Sequence, residues 1–242
     1  MTYNTDNIFN KRQDMIVDFA FNESVAQVFP DMIRRSVPGY ETIISFAGLF
    51  AQQYIQANSN VYDLGCSLGA STTAILQRKI ETPFNMIAVD NSTAMINQCK
   101  ANLAQFKHQT VDLVCDDLQN INIENASFVI LNFTLQFTPR EKRQHLLQSI
   151  YQGLRPGGAL LLSEKIIFPG AQDQIFHENM HHMFKRANGY NDLEISQKRQ
   201  ALENTLLPET LDTHLQRLQA CGFDYANKWF QCFNFCSFVA IK

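Results

Sequence analysis

Apolar residues recur along the chain in two rhythms, and the change of rhythm falls near residue 60. Before it, Phe19, Phe21, Val25 and Val28 form an apolar stripe that Pro38-Gly39 interrupts. Ile43, Ile44, Phe46, Ala47, Phe50 and Tyr54 then repeat at helical spacing between Tyr40 and Gln56. This stretch reads as a helical extension over residues 1–59. From Asn60 onward, short apolar runs alternate with amphipathic ones. Strands are expected at 61–64, 85–90, 111–115, 127–132 and 159–163, and helices at 70–79, 92–106 and 139–154. A helical block over roughly 172–220 follows, and two further strands fall near 224–231 and 234–241. Alternating strands and helices imply βαβ units and a mostly parallel, doubly wound α/β sheet, here of seven strands. The two adjacent final strands should close it as an antiparallel hairpin. The expected layout is a single domain over 1–242: the extension at 1–59, an α/β core at 60–170, a helical insertion at 171–222 and the hairpin at 223–242.

Composition narrows the function classes. Apolar residues make up 45% of the chain and charged residues 18%, which suits a sizeable core and excludes a disordered chain. No apolar run approaches the ~18 residues of a membrane span. The polar start Met1-Thr-Tyr-Asn-Thr-Asp-Asn lacks a secretory core, so a soluble cytoplasmic protein is expected. The net charge of -3 argues against stable nucleic-acid binding, which ordinarily shows as a basic stripe. The six cysteines contain no Cys-x-x-Cys pair and read as buried thiols rather than a disulfide framework. A small-molecule site is the better expectation.

The sharpest local feature is Asp63-Leu-Gly65-Cys66-Ser67-Leu-Gly69-Ala-Ser, placed after a predicted strand and before a predicted helix. Glycines there allow a tight turn and a close approach of backbone to ligand. The helix N-terminus behind them offers free N–H groups. A dinucleotide fingerprint would carry glycine where Ser67 and Ala70 stand, so that match is poor. The string resembles instead the first motif of class I S-adenosylmethionine-dependent methyltransferases, acidic-x-Gly-x-Gly-x-Gly, with Ser67 as the departure. Later strand ends agree in order. Asp90, followed by Asn91, is placed to accept from both ribose hydroxyls. Asp116-Asp117 is placed to meet an adenine amine. Asn132 ends the fourth strand, and Leu154-Arg-Pro-Gly-Gly158 resembles the turn before the fifth strand of the same superfamily.

A competing motif is His177-Glu178-Asn179-Met180-His181, a literal His-Glu-x-x-His that would set two imidazoles on one helical face for zinc. No third ligand at a matching distance is evident, although His182 and His214 are candidates. A zinc hydrolase would leave the nucleoside-type strand ends unexplained. The expectation is therefore no metal, and a helix packing over the site or a partner.

The acceptor cannot be derived from the cofactor loop, because methyl transfer asks mainly for in-line positioning. Asn132 is followed by Phe-Thr-Leu-Gln-Phe rather than Pro-Pro-Tyr, which argues against methylation of base amines. Longer runs carry a more specific resemblance: Val25-Ala-Gln-Val-Phe-Pro-Asp-Met-Ile-Arg-Arg-Ser-Val-Pro-Gly-Tyr40, Tyr62-Asp-Leu-Gly-Cys-Ser-Leu-Gly69, Asn132-Phe-Thr-Leu-Gln-Phe137, Leu193-Glu-Ile-Ser-Gln-Lys-Arg199 and Trp229-Phe-Gln-Cys-Phe-Asn-Phe235. Across nearly its whole length the chain resembles the bacterial carboxy-S-adenosyl-L-methionine synthase family. That resemblance implies a homodimeric enzyme turning S-adenosyl-L-methionine and prephenate into carboxy-S-adenosyl-L-methionine, phenylpyruvate and water. It implies a downstream tRNA carboxymethyltransferase, itself a candidate partner, that uses the product on wobble 5-hydroxyuridine. By position it implies ligand contacts from Tyr40, Gly65, Cys66, Ser67, Asp90, Asn91, Asp117, Leu118, Asn132 and Arg199. Arg199 is the implied catalytic residue, since a guanidinium fork suits the added carboxylate. The mechanism expected from this is decarboxylation of prephenate and capture of CO2 by a sulfonium ylide, with no dedicated protein base. Arg34 and Arg35 are further candidate cations for the prephenate dianion. Two other readings stay open on the residues alone: an ordinary methyltransferase acting on a small molecule or tRNA, and a non-catalytic nucleoside-binding partner subunit.

Overall fold

The computed structural model describes residues 4–13, 15–107 and 109–242. Two helices, α1 (Glu23–Ser36) and α2 (Tyr40–Tyr54), lead into the sheet. Strands β1 (Ser59–Leu64), β2 (Phe84–Asp90), β3 (Val111–Cys115), β4 (Ala126–Asn132) and β5 (Leu154–Ile167) are parallel. They are connected by α3 (Ala70–Leu76) after β1, α4 (Thr93–Leu103) after β2 and α5 (Arg140–Gly153) after β4. Helices α6 (Ala171–Ala187), α7 (Asp192–Leu202) and α8 (Leu211–Ala220) follow, with the two-residue strand β6 (Glu209–Thr210) before α8. Strands β7 (Tyr225–Cys232) and β8 (Phe235–Ile241) come last. The sheet runs β3-β2-β1-β4-β5-β8-β7, and β6 pairs with the end of β5. β8 lies antiparallel to both β5 and β7. The seven-strand path and the terminal hairpin match the expectation, and β6 is an eighth, short addition.

The central strands explain the order. In β4, Ala126–Leu131 is buried on both faces, which is why that run is continuously apolar rather than alternating. One face packs Leu146, Leu147 and Ile150 of α5 and Leu218 of α8; the other packs Ala47 and Ala51 of α2 and Ile75 of α3. Helix starts follow their caps: Asn22 accepts from the Val25 N–H, Ser92 from Met95, Thr210 from Thr213, and Asn191 with Glu194 forms a capping box.

Three sequence expectations change. Phe19 and Phe21 precede the Asn22 cap and lie outside α1; their two-residue spacing suits extended chain, and both pack against the cluster of Val25, Met32, Leu68 and Met95. The helical block breaks into three helices, separated by Gly189 at φ +87° and by the Pro208 segment that leads into β6. β5 is far longer than 159–163, because Leu154 pairs with Ala126 and the strand's far end pairs with β6 and β8.

Two buried charges hold the core. The Arg143 side chain is fully buried and donates to the carbonyls of Thr138, Gln136 and Leu207, and to Glu209 Oε2 at 2.5 Å. It ties α5 to the segment that carries β6. Asp63 at the end of β1 accepts from the Thr72 N–H at 3.1 Å and from its hydroxyl at 2.7 Å, pinning the start of α3. Burial pushes the Asp63 carboxyl up from 3.8 to about 6, against the two Thr72 hydrogen bonds and with a further push from Asp90.

Arg143→Met should destabilise the fold by about 3–5 kcal/mol in urea unfolding, because it strands three carbonyls and half of a buried ion pair. Asp63 binds its proton more tightly in the folded state than in the unfolded state. Its contribution to stability is therefore largest near pH 4 and falls as the pH rises through 6, by on the order of 2 kcal/mol. Asp63→Asn should flatten that slope in a stability–pH series from pH 4 to 7.

Candidate active site

The carboxyl ends of β1 to β5 open into one cavity of about 1370 Å³, roofed by α1, the start of α2 and parts of α6 and α7. That exceeds the ~300–1,000 Å³ of a typical single-ligand pocket, so there is room for two substrates. Adjacent strands sit about 4.8 Å apart, so the five strand ends from β3 to β5 span roughly 19 Å. Positions on successive strand ends are thus laid out along the cavity in sheet order.

The turn after β1 forms the floor. Gly65 has φ +78°, and a Cβ there would lie 2.2–2.8 Å from the Thr134 side chain, so only glycine permits this approach. Ser67, where the superfamily motif has glycine, takes the left-handed conformation at φ 49°. That strain is offset by its N–H, which donates to Asp90 Oδ2 at 2.9 Å. The Cys66 thiol is buried, and its contact with Cys99, burial and the nearby carboxylates all push its pKa up, so it is no nucleophile.

Asp90 ends β2. Each of its oxygens takes one backbone N–H, from Ser67 and from Ser92, both at 2.9 Å. A carboxylate oxygen has two acceptor sites, so one remains on each for a pair of vicinal hydroxyls. Burial raises the Asp90 pKa, and the two N–H bonds oppose the rise. Beyond β3, Asp116 turns into its own loop, accepting from the Asp117 N–H and the Asn120 amide. Asp117 and Leu118 line the cavity instead. Asn132 at the end of β4 is held by two serines. Its amide donates to Ser71 Oγ at 3.1 Å, and its carbonyl accepts from Ser163 Oγ at 2.6 Å.

Tyr40, Gly65, Cys66, Ser67, Asp90, Asn91, Asp117, Leu118 and Asn132 therefore line one cavity. Arg199 does not line it. It lies exposed on α7, close enough to Lys165 and Lys185 that its charge lowers the pKa of both. Arg34 stands at the cavity mouth, 3.0 Å from Glu41. Arg35 is turned to structure: it pairs with Asp31 at 3.0 Å, donates to the Asn188 carbonyl and lies over the Tyr190 ring. The two histidines of the His-Glu-x-x-His run have separate partners. His177 stacks on Phe168 with ring centres 3.9 Å apart, and His181 Nε2 meets the Ser36 carbonyl at 2.8 Å. Among the described residues no group of three His, Cys, Asp or Glu side chains is placed to hold a metal ion. No helix is long and apolar enough to cross a membrane among the described residues.

Sequence reasoning missed the basic wall of the cavity, formed by Lys165, Lys185 and Lys198 with Gln136 and His181. One signal was available. Glu164-Lys165 is a charged pair inside an apolar strand, where alternation turns the two side chains to opposite faces. Glu164 is fully buried on the Arg143 side, and Lys165 faces the cavity. Burial lowers the Lys165 pKa and brings Lys185 to about 7 and Lys198 to about 8, and their mutual repulsion adds to the fall for Lys185. The same burial and the flanking lysines hold His181 neutral, at about 2.

Comparison with known proteins places this geometry. A family model described as a methyltransferase domain matches residues 61–158. Among solved structures, a putative O-methyltransferase from Nostoc punctiforme superposes with a TM-score of 0.62 at 17% identity, covering 91% of this chain and 60% of that one. A putative S-adenosyl-L-methionine-dependent methyltransferase from Methanococcus maripaludis gives 0.60 at 16% identity, over 96% and 97% of the two chains. Human N-acetylserotonin methyltransferase, solved in complex with SAM, gives 0.61 at 17%, over 91% and 55%. These likenesses show the class I methyltransferase fold. Sequence relatives reach further. The carboxy-S-adenosyl-L-methionine synthase of Geobacter metallireducens is 57% identical over the full length of both chains. That of Shewanella baltica is 54% identical, again over both full lengths. With this identity from end to end on a methyltransferase fold, the chain belongs to the carboxy-S-adenosyl-L-methionine synthase family of enzymes.

Proposed function

We propose that this enzyme binds S-adenosyl-L-methionine and prephenate together and converts them to carboxy-S-adenosyl-L-methionine, phenylpyruvate and water. The observation that carries the reading is the cavity itself. It joins the family's nucleoside positions in strand order, and it continues past them into a basic compartment large enough for a second substrate. The residues present fit the nucleoside. Asp90 has two free acceptor sites for ribose hydroxyls, Asp117 and Leu118 lie where the adenine would sit, and Gly65 to Ser67 let backbone approach the amino-acid end. The sulfonium supplies an acidified methyl group as the carboxyl acceptor.

In this reading prephenate loses its ring carboxyl and its hydroxyl as the ring aromatises. The hydroxide leaves as water with one proton from the methyl group, and the carboxyl unit ends on that methyl carbon. Charge and atoms balance with no external reductant, and the reading gives no metal a role. The chain's own part is orientation and exclusion of water. Tyr40 and Asn132 bracket the reacting end, and the α1–α2 and α6–α7 helices cover it. Arg199 is assigned to the added carboxylate. Because it lies outside the cavity of its own protomer, it serves either after a small inward swing or in the pocket of a second copy. A homodimer is supported by exposed Ile175, Phe176 and Met183 on α6 and Leu193 on α7, the helix pair that carries Arg199. In the cytoplasm the product would supply a tRNA carboxymethyltransferase that modifies wobble uridine, and this chain itself would not hold nucleic acid or membrane.

Mass spectrometry of small molecules released from protein purified from cells should find a species one CO2 unit heavier than S-adenosylmethionine. Release of S-adenosylmethionine or S-adenosylhomocysteine alone, with no turnover of added prephenate, would overturn the proposal. Arg199→Ala should weaken the carboxylated ligand at least tenfold in titration calorimetry and leave S-adenosylmethionine within about twofold; equal losses would remove its assigned role. Asp90→Ala should weaken both nucleosides by about a hundredfold, since it deletes two charge-assisted hydrogen bonds.

A further inference from the structure

Beyond Asn132 of β4, the paired position on β5 is Ser163, and Lys165 lies two residues further along that strand on the same face. Lys185 of α6 and Lys198 of α7 converge on the same wall. Lys198 is already engaged, with Asp6 Oδ2 at 3.7 Å and Ser36 Oγ at 2.9 Å. Lys165 and Lys185 differ. Among the described residues neither ammonium takes an ion-pair partner; Glu178 acts on Lys165 only at longer range. Two buried lysines without a carboxylate partner, whose charged forms repel one another, are an unfavourable arrangement for a structural purpose alone. A multiply charged anion between them would reverse its sign. Beside them the wall is aromatic: Tyr40, Phe133 and Phe235 stand with ring centres 6.3 and 6.1 Å apart, and His181 meets Phe235 edge-on at 5.0 Å.

We infer that Lys165 and Lys185 form the subsite for the carboxylates of a dianionic co-substrate, whose ring lies against Tyr40, Phe133 and Phe235. The inference rests on the function proposed above and adds to it the residues that choose the second substrate. The strand step fixes the location. A ligand lying along the strand ends, with its base near β3 and its ribose at β2, brings its amino-acid end past β1 toward β4. An anion held at Lys165 is then one strand across and two residues along, roughly 8 Å further on. His181 stays neutral, with Nε2 on the Ser36 carbonyl, so the charge facing the anion is carried by the lysines. Around Lys185 the facing charges are Lys165 from β5 and Lys198 and Arg199 from α7; all three are cations and hold its proton loosely until an anion arrives.

The test uses the full-length protein loaded with S-adenosylhomocysteine, which lacks the reacting methyl group and so prevents turnover. Prephenate is titrated by calorimetry at pH 8. Lys165→Met and Lys185→Met should each weaken prephenate at least tenfold while the affinity for S-adenosylhomocysteine stays within twofold. Variants that bind prephenate as the parent does would overturn the inference and leave the proposed function standing. A parent protein that ignores prephenate would overturn both. A second measurement needs no variant: titrations of the parent in buffers of different ionisation enthalpy should show net proton uptake on binding at pH 8, as Lys185 becomes charged. Binding without proton uptake would overturn the role of Lys185.

Discussion

A carboxylate sealed from water ties the first strand of the sheet to the helix behind it. Asp63 accepts both the N–H and the hydroxyl of Thr72, and the five-residue turn between them is thereby held at fixed length. Three contacts at the cavity floor and the start of α3 are referenced to that turn. Gly65 is set against Thr134, the Ser67 N–H reaches Asp90, and Gly69 packs over Cys99 at the start of α3. Hydrogen bonds of this kind are worth far more in a dry interior than at the surface, because each partner would be stranded without the other. The left-handed Ser67 is the clearest sign that the turn is over-determined. A residue with a side chain sits where glycine is at ease, and the bond to Asp90 keeps it there.

The two ends of the cavity are opposite in character. Carboxylates from β2 and β3 face one end, and ammonium groups from β5, α6 and α7 face the other. A ligand that is cationic and rich in hydroxyls is favoured at the first, and an anion at the second. The sheet order separates the two sets by strands β1 and β4, which contribute glycine backbone and an amide rather than charge. The neutral middle keeps acid and base from pairing across the cavity; Lys198 takes its carboxylate partner, Asp6, from outside the strand ends.

Much of this was legible in the sequence because it lies on strand ends. Periodicity located β1 to β5, and the strand ends then named Asp63, Asp90, the pair Asp116-Asp117 and Asn132. Asp116 and Asp117 could not be separated on the residues alone, since which one lines the cavity depends on a short turn that Asp117 caps at the Gln119 N–H and Asp116 ties to the Asn120 amide. The sequence over 172–220 reads as one helical unit because its interruptions are made by a glycine in the left-handed conformation and by tertiary pairing of β6, neither of which disturbs apolar spacing. The lysines were the real omission. Lys185 and Lys198 look like solvated helix charges in a linear reading, and they are buried where α6 packs against α1 and α7 and where Lys198 meets Ser36 and Asp6. Arg199, by contrast, came from family resemblance, and its exposed position on α7 is nothing that spacing could have revealed.

The placement of β8 has a consequence for how the chain is made. β8 is inserted between β5 and β7, so the buried run Leu160–Leu162 pairs on one side with β4 and on the other with residues 76 to 80 positions later in synthesis. A ribosome releases the nucleoside half of the sheet well before it releases the strand that covers β5. Until then an apolar strand edge stays open, of the kind that recruits foreign strands. Of the three helices translated in between, α6 and α7 help roof the cavity in the finished protein and α8 packs on the core, and all three are at hand to shield that edge during elongation.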